Sequence, residues 1–278
     1  MEAPIQPLEE IAASLRGRLV EVSHRCGTAH LASAMSCVDI VVALYWSAMR
    51  IDPAKPDDPH RDRFILSKGH AASTLFAALS QRGFFPDDLL DTHGQEGSCL
   101  EEHPGPACAP GVEAATGSLG HGLPISLGLA LGARLTNMDY RVFCLMGDGE
   151  CNEGSVWEAA MFAPVHGLDN LCALIDFNKW QATGRSCEVM ALEPMVDKWR
   201  AFGWEAVEID GNDMGQVLGA LDKFPASGKP LAIVAHTVKG RGVSFMEDDN
   251  NWHYRIPTEE EVRTSWEELG LNAQRVRS

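Results

Sequence analysis

The sequence predicts an α/β fold in which a parallel β-sheet carries helices on both faces. Two observations lead there. Residues 63–67, 141–146, 171–177, 204–209 and 231–236 are short, apolar and rich in β-branched side chains, and the later four are each separated by a helical stretch. That alternation is the mark of βαβ units. The strand at 141–146 also runs straight into Gly147-Asp148-Gly149, with a helix expected from near Ser155. A chain of 278 residues, 45% hydrophobic, is long enough to bury the core such a sheet needs.

The elements follow in order. Ser36-Cys37-Val38-Asp39 has the form of a capping box, so a helix buried nearly all round is expected over the apolar run ending at Trp46. Residues 63–67 read as the first strand, Gly69-His70 as the turn after it, and 71–81 as a helix. Residues 85–117, rich in Gly, Pro, His and acidic side chains, read as a long functional loop. Gly and Ala crowd the helix expected over 122–135, which lets another backbone approach closely. Thr258-Glu259-Glu260-Glu261 is a capping box for the last helix. With no repeat, low-complexity linker or interior boundary, residues 1–278 read as a single domain.

Charge narrows the function. Lys and Arg number 23 against 39 Asp and Glu, a formal net charge of −16, which argues against a nucleic-acid or anionic-membrane surface. Any anionic ligand must be held locally, by backbone amides, histidines or a metal ion. Residues 1–10 carry three Glu and no apolar run, unlike a secretory signal. No stretch approaches the ~18 consecutive apolar residues of a membrane span. The eight Cys show no C-x-x-C spacing, so reduced thiols in a cytoplasmic protein are expected.

The segment from Leu145 to Gly154 carries the most chemistry. A strand end delivers the Asp148 carboxylate beside a helix N-terminus, where open α/β sheets bind ligands and backbone amides favour phosphate. The two flanking glycines permit tight turning and close approach of main chain to a ligand. A second strand ends at Asp176-Phe177-Asn178, thirty positions after Asp148. Adjacent strand ends would bring a carboxylate and an amide oxygen together. These hard ligands suit Mg²⁺, which recruits diphosphate oxygens for the rest of its shell. Taken alone, Asp148 also fits a turn, and Asn178 a strand end bonding its own loop.

Gly147-Asp148-Gly149 followed by Asn178 resembles the thiamine-diphosphate motif. The flanks are similar to the transketolase family: Arg61 through His70, Glu102-His103-Pro104-Gly105, Ala115 through Gly122, Gly149 through Ala159, and Gly240 through Met246 with Asn251-Trp252-His253. The resemblance implies a thiamine-diphosphate-binding fold with Asp148, Asn178 and the Trp180 carbonyl on Mg²⁺ (or Ca²⁺ or Mn²⁺). It further implies Gly149 and His70 at the diphosphate, and Gly117 and Leu119 along the aminopyrimidine. His253 would lie near the diphosphate and the reacting carbon. His30 and His103 would bind sugar hydroxyls and help move protons, and Glu153 would link two active sites across a dimer. The other histidines, 24, 60, 93, 121, 166 and 236, are expected at the surface or in packing.

Single-chain members of the family are more than twice this length. The resemblance therefore implies a separate partner supplying a pyrimidine-binding and a C-terminal domain, with two copies of each chain in a heterotetramer acting on sugar phosphates. Three departures cluster where the sugar would lie: Leu31, Glu102 and Tyr254. They suggest a modified or branched ketose phosphate as donor. A 2-oxo-acid dehydrogenase α-chain or a deoxyxylulose-phosphate synthase would share the metal motif but lack the early Ser-Lys-Gly-His and late Trp-His blocks. A non-catalytic scaffold of the same fold would be expected to lose Asp148, Asn178 or His103.

Overall fold

Along each central strand the side chains alternate between two apolar layers, as a sheet covered on both faces requires. The structure, a computed structural model, describes residues 5–225 and 228–271. Its main strands are β1 (Arg63–Leu66), β2 (Val142–Gly147) and β3 (Leu171–Phe177), followed after a small hairpin of β4 (Trp180–Gln181) and β5 (Gly184–Arg185) by β6 (Glu205–Asp210) and β7 (Leu231–His236). They pair in the order β1-β2-β3-β7-β6, all parallel. Phe64, Phe143, Leu145, Leu174 and Ile233 enter one layer; Ile65, Cys144, Met146, Ile175 and Val234 enter the other.

The helices are α1 (Ile5–Cys26), α2 (Leu31–Ser36), α3 (Val38–Ala43), α4 (Ala72–Arg82), α5 (Gly122–Leu135), α6 (Gly154–Val165), α7 (Ser186–Val189), α8 (Met195–Ala201), α9 (Met214–Leu221) and α10 (Glu259–Glu268). Helices α1 to α4, α9 and α10 build the first layer, and α5, α6 and α8 the second. The expected parallel sheet with helices on both faces is what forms. No helix among the described residues is long and apolar enough to cross a membrane.

Two expectations need correction. Helix α1, 22 residues long, has no counterpart among the expected elements, although Leu8, Ala12, Leu15, Leu19 and Val22 recur at helical spacing and are buried. The capping box at Ser36 does not form. Ser36 ends α2, and its hydroxyl donates to Asp176 (2.7 Å). Asp39, which should have folded back onto the backbone, is instead taken by Arg16 (2.6 Å) and Asn212 (2.8 Å). The box at Thr258 does form, with Glu261 N–H donating to its Oγ1 (3.3 Å) and Thr258 N–H to the Glu261 carboxylate (2.8 Å).

What positions the site is a buried ion pair. Lys68, just past β1, and Asp176, in β3, are both fully buried and in direct contact. Thr237 beyond β7 and Ser36 of α2 donate to the same carboxylate. Lys68 Nζ also donates to the Ser33 carbonyl (2.8 Å). Burial alone would lower the Lys68 pKa, but Asp176 outweighs it and raises it. Removing one partner strands the other charge in the core. K68M and D176N are each expected to cost ~3–5 kcal/mol, and the double variant well under their sum. Chemical denaturation of the three variants checks this.

Candidate active site

The carboxyl ends of the central strands open into a cavity of about 350 Å³. Its lining includes His30, His70, His103, Gly117, Leu119, Asp148, Gly149, Asn178, Trp180 and His253, so ten of the eleven candidate residues meet there. The eleventh, Glu153, is not among the lining residues; it is exposed at the N-cap of α6.

Asp148 and Asn178 come together because β2 and β3 are neighbours in register, with Gly147 opposite Asp176. The Asp148 carboxylate accepts from Gly149 N–H (2.9 Å), Lys179 N–H (3.0 Å) and Ser186 Oγ (2.7 Å). Burial nonetheless pushes its pKa up to about 6, against the pull of those bonds. Asn178 Nδ2 donates to Asp176 (3.3 Å) while its Oδ1 accepts from Trp180 N–H (3.1 Å), which fixes the amide's orientation. A buried carboxylate whose charge burial disfavours, beside an oriented amide oxygen, fits a hard divalent cation. Among the described residues no group of three or more His, Cys, Asp and Glu could hold a metal. Such a cation would thus need the Asn178 amide, a backbone carbonyl and ligand oxygens as well.

The expected tight turn at Gly147 and Gly149 is not made by unusual backbone angles, since neither has a positive φ. What Gly149 provides is space: a Cβ there would stand 2.8 Å from Gln181 Cγ. Gly69 and Gly117 do depend on being glycine. A Cβ on Gly69 would lie 2.5 Å from the Gly117 nitrogen, and Gly117, at φ 131°, packs against the His103 ring. The long loop is thereby held against the turn that follows β1.

Four histidines from four separate segments crowd the cavity. The His30 ring lies 5.6, 6.0 and 5.0 Å from those of His70, His103 and His253. His30 sits at φ 66°, a left-handed conformation unusual outside glycine, and its N–H donates to the His253 carbonyl (2.9 Å). Burial lowers the pKa of His30, takes His70 well below its usual value and brings His253 down to about 3. Lys239, His30 and Lys68 deepen the effect at His253. Lys239 Nζ donates to His253 Nδ1 (3.1 Å), so His253 carries its proton on Nε2.

Lys239 and Glu150 are among the site residues that escaped sequence reasoning. Lys239, its pKa lowered to about 8 by burial with Lys68 adding, also donates to Asn250 (2.7 Å). Glu150 is buried and accepts from Ser67 Oγ, Gly120 N–H (2.9 Å) and Gly147 N–H (3.1 Å), tying the long loop to two strand ends. Glu150 falls in the Gly149 to Ala159 block, whereas Lys239 only adjoins the block that starts at Gly240. Of the remaining histidines, His93 is buried against Phe76, His24, His60, His121 and His166 are exposed, and His236 is half-buried against Glu208.

The family described as transketolase, thiamine diphosphate binding domain, matches residues 9–277. An apulose-4-phosphate transketolase subunit from Phocaeicola vulgatus is 40% identical over 273 residues, spanning 98% of this chain and 97% of that protein. A 6-deoxy-6-sulfo-D-fructose transketolase subunit from Clostridium sp. is 40% identical over 94% of this chain and 96% of its own length. Human transketolase is 38% identical over 90% of the chain, yet only 40% of that protein is covered. The transketolase structure from Leishmania mexicana superposes with a TM-score of 0.92 at 27% identity, covering all of this chain and 43% of that one.

The depressed His253 pKa has a consequence for stability. Between its folded value of about 3 and the ordinary value of 6.5, the unfolded chain binds a proton that the folded chain does not. Folding stability from this group is therefore present above pH 6.5 and lost as pH falls. Asp148 acts in the opposite sense, so the wild-type curve alone is a composite. Relative to H253N, the wild type should lose thermal stability on going from pH 7.5 to pH 5. Parallel melting curves check it.

Proposed function

The chain belongs to the transketolase family, and from that premise we propose that it is the cofactor-binding subunit of a two-component enzyme transferring a two-carbon ketol unit between sugar phosphates. The observation that carries the reading is the convergence of Asp148 and Asn178, at neighbouring strand ends, on the cavity that four histidines line. On this reading residues 1–278 form one domain built on the sheet.

Asp148, Asn178 and the Trp180 carbonyl would hold Mg²⁺ (or Ca²⁺ or Mn²⁺). Gly149 and His70 would face the diphosphate, and Gly117 and Leu119 the aminopyrimidine. Thiamine diphosphate, when bound, supplies the carbon–carbon bond chemistry. This chain's residues orient and exchange protons. His30, His70 and His253 are kept neutral at pH 7 by burial, so each can donate at one ring nitrogen and accept at the other. His253, with Nδ1 engaged by Lys239, presents Nε2–H as a donor. Polyol hydroxyls need such groups, and His103 and His30 would bind them.

A partner chain with pyrimidine-binding and C-terminal domains would complete the site. Two relatives named as subunits match this chain over nearly their full length, and whole transketolases are covered over about two fifths of theirs. Helices α5 and α6 support the same view: Ile125, Leu135, Met161, Phe162 and Val165 are large apolar side chains left exposed on them. Glu153, exposed at the start of α6, would serve the contact between sites in a heterotetramer. Free thiols at all eight cysteines suit the cytoplasm.

For the donor we favour a modified ketose phosphate. Tyr254, 64% exposed, stands edge-on to His30 (5.6 Å) and His253 (4.6 Å), two histidines that line the cavity. The two relatives named as subunits carry apulose 4-phosphate and 6-deoxy-6-sulfo-D-fructose in their names, not xylulose 5-phosphate.

Titration with thiamine diphosphate and Mg²⁺, followed by tryptophan fluorescence, tests the cofactor site. D148N should weaken binding ~100-fold, about 2.7 kcal/mol; equal affinity would remove Asp148 from the site. Ketol transfer should require the partner chain, and measurable turnover by the isolated chain would refute the two-component reading. In the assembled enzyme, Y254G should raise kcat/KM for xylulose 5-phosphate relative to modified ketoses. A wild type that already prefers xylulose 5-phosphate to every modified ketose tried would end the donor proposal.

A further inference from the structure

The cavity must hold an anion with almost no free positive charge. Its lining has one permanent cation, Lys68, and that ammonium is engaged by Asp176, Ser33 and Ser36. It also has two carboxylates, Asp148 and Glu150. The Gly149 N–H, expected to meet a phosphate oxygen, already donates to Asp148 Oδ1 (2.9 Å). A diphosphate seated here therefore depends on neutral donors that nothing else occupies.

One such donor lies at the right place. Gln181 lines the cavity, and its Nε2 is buried without any hydrogen-bond partner. Its side chain folds over Gly149, with Cγ and Cδ standing 2.8 and 3.1 Å from where a Gly149 Cβ would be. The backbone is fixed by the β4–β5 hairpin, in which Gln181 pairs with Gly184. Native proteins rarely leave a buried amide N–H unmatched, and an orphan at a ligand cavity points to a partner that arrives with the ligand.

We infer that Gln181 is a diphosphate-binding residue, its Nε2 donating to a diphosphate oxygen seated over Gly149. The inference rests on the cofactor reading above and adds to it a contact that no motif indicates. It also explains why position 149 has to be glycine in this chain, since a Cβ there would displace the amide.

The test is calorimetric titration of the full chain with Mg²⁺ plus thiamine diphosphate and, separately, Mg²⁺ plus inorganic pyrophosphate. Wild type, Q181L and Q181E are compared, and the melting temperature of each ligand-free protein is measured. Q181L keeps the side-chain bulk and removes the donor, so it should weaken both ligands about tenfold while leaving the melting temperature unchanged or raised. Q181E should weaken both further, because it sets a third carboxylate against the anion. Unchanged affinity in Q181L overturns the inference, and so does a loss of affinity that merely follows a fall in melting temperature. If pyrophosphate binds wild type better than Q181L while thiamine diphosphate binds neither, the Gln181 contact stands and the cofactor reading falls. If wild type binds neither ligand, both fall.

Discussion

The geometry of the site depends on one carboxylate with no access to water. Asp176 sits in β3 and receives Lys68 from beyond β1, Thr237 from beyond β7, Ser36 from α2 and Asn178 from its own strand end. An isolated buried charge would be intolerable, so each donor must stay where it is for the fold to persist. That requirement clamps the ends of three strands and a helix to one point. It also orients the Asn178 amide and places Asp148, whose N–H bonds the Asp176 carbonyl (3.2 Å). The proposed cation ligands are therefore held by the core, and the loops around them need only cover.

The same economy of charge runs through the cavity. The chain carries sixteen more negative than positive formal charges, and the cations near the site are engaged: Lys68 by Asp176, Lys239 by Asn250 and His253. His30, His70 and His253 are held neutral by burial. A site of this kind cannot attract an anion by its own field, so a divalent cation brought beside Asp148 and a set of neutral donors become the physical means of holding a diphosphate. Neutral imidazoles also answer to polyol chemistry, where both a donor and an acceptor are needed near neutral pH and a fixed charge would favour one direction of proton movement.

How far these features could be read from the sequence follows from how local they are. Asp148 and Asn178 lie one βαβ unit apart on adjacent strands, so spacing alone suggested their meeting. Strands were legible because burial on both faces makes them continuous apolar runs. The four histidines arrive from the turn before α2, the turn after β1, the long loop and the segment past β7. No spacing connects these, and only likeness to a family assembled them. Helix α1 has a helical period that its interspersed charges obscure, and Ser36 carries a capping signature whose Asp39 is claimed by Arg16 and Asn212. Tertiary partners override a local rule there. Lys239 and Gln181 have no signal by themselves, because a lone lysine or glutamine becomes a site residue only through what surrounds it.

The second layer of the fold raises a different constraint. Helices α5 and α6 bury Leu123, Ala130, Val156 and Ala160 against the sheet, yet turn Ile125, Leu135, Met161, Phe162 and Val165 outward. Leu119, which lines the cavity, is itself 37% exposed. Residues 117–135 thus contribute both to the cavity, through Gly117 and Leu119, and to the apolar surface, through Ile125 and Leu135. On the reading proposed above, a partner chain would dock on such a surface. On the proposed reading, docking there would bury the outward side chains of α5 and α6 in the same step that closes the cavity over the aminopyrimidine. Assembly and completion of the site would then be one event, driven by apolar burial and directed by where Glu153 and Leu119 stand.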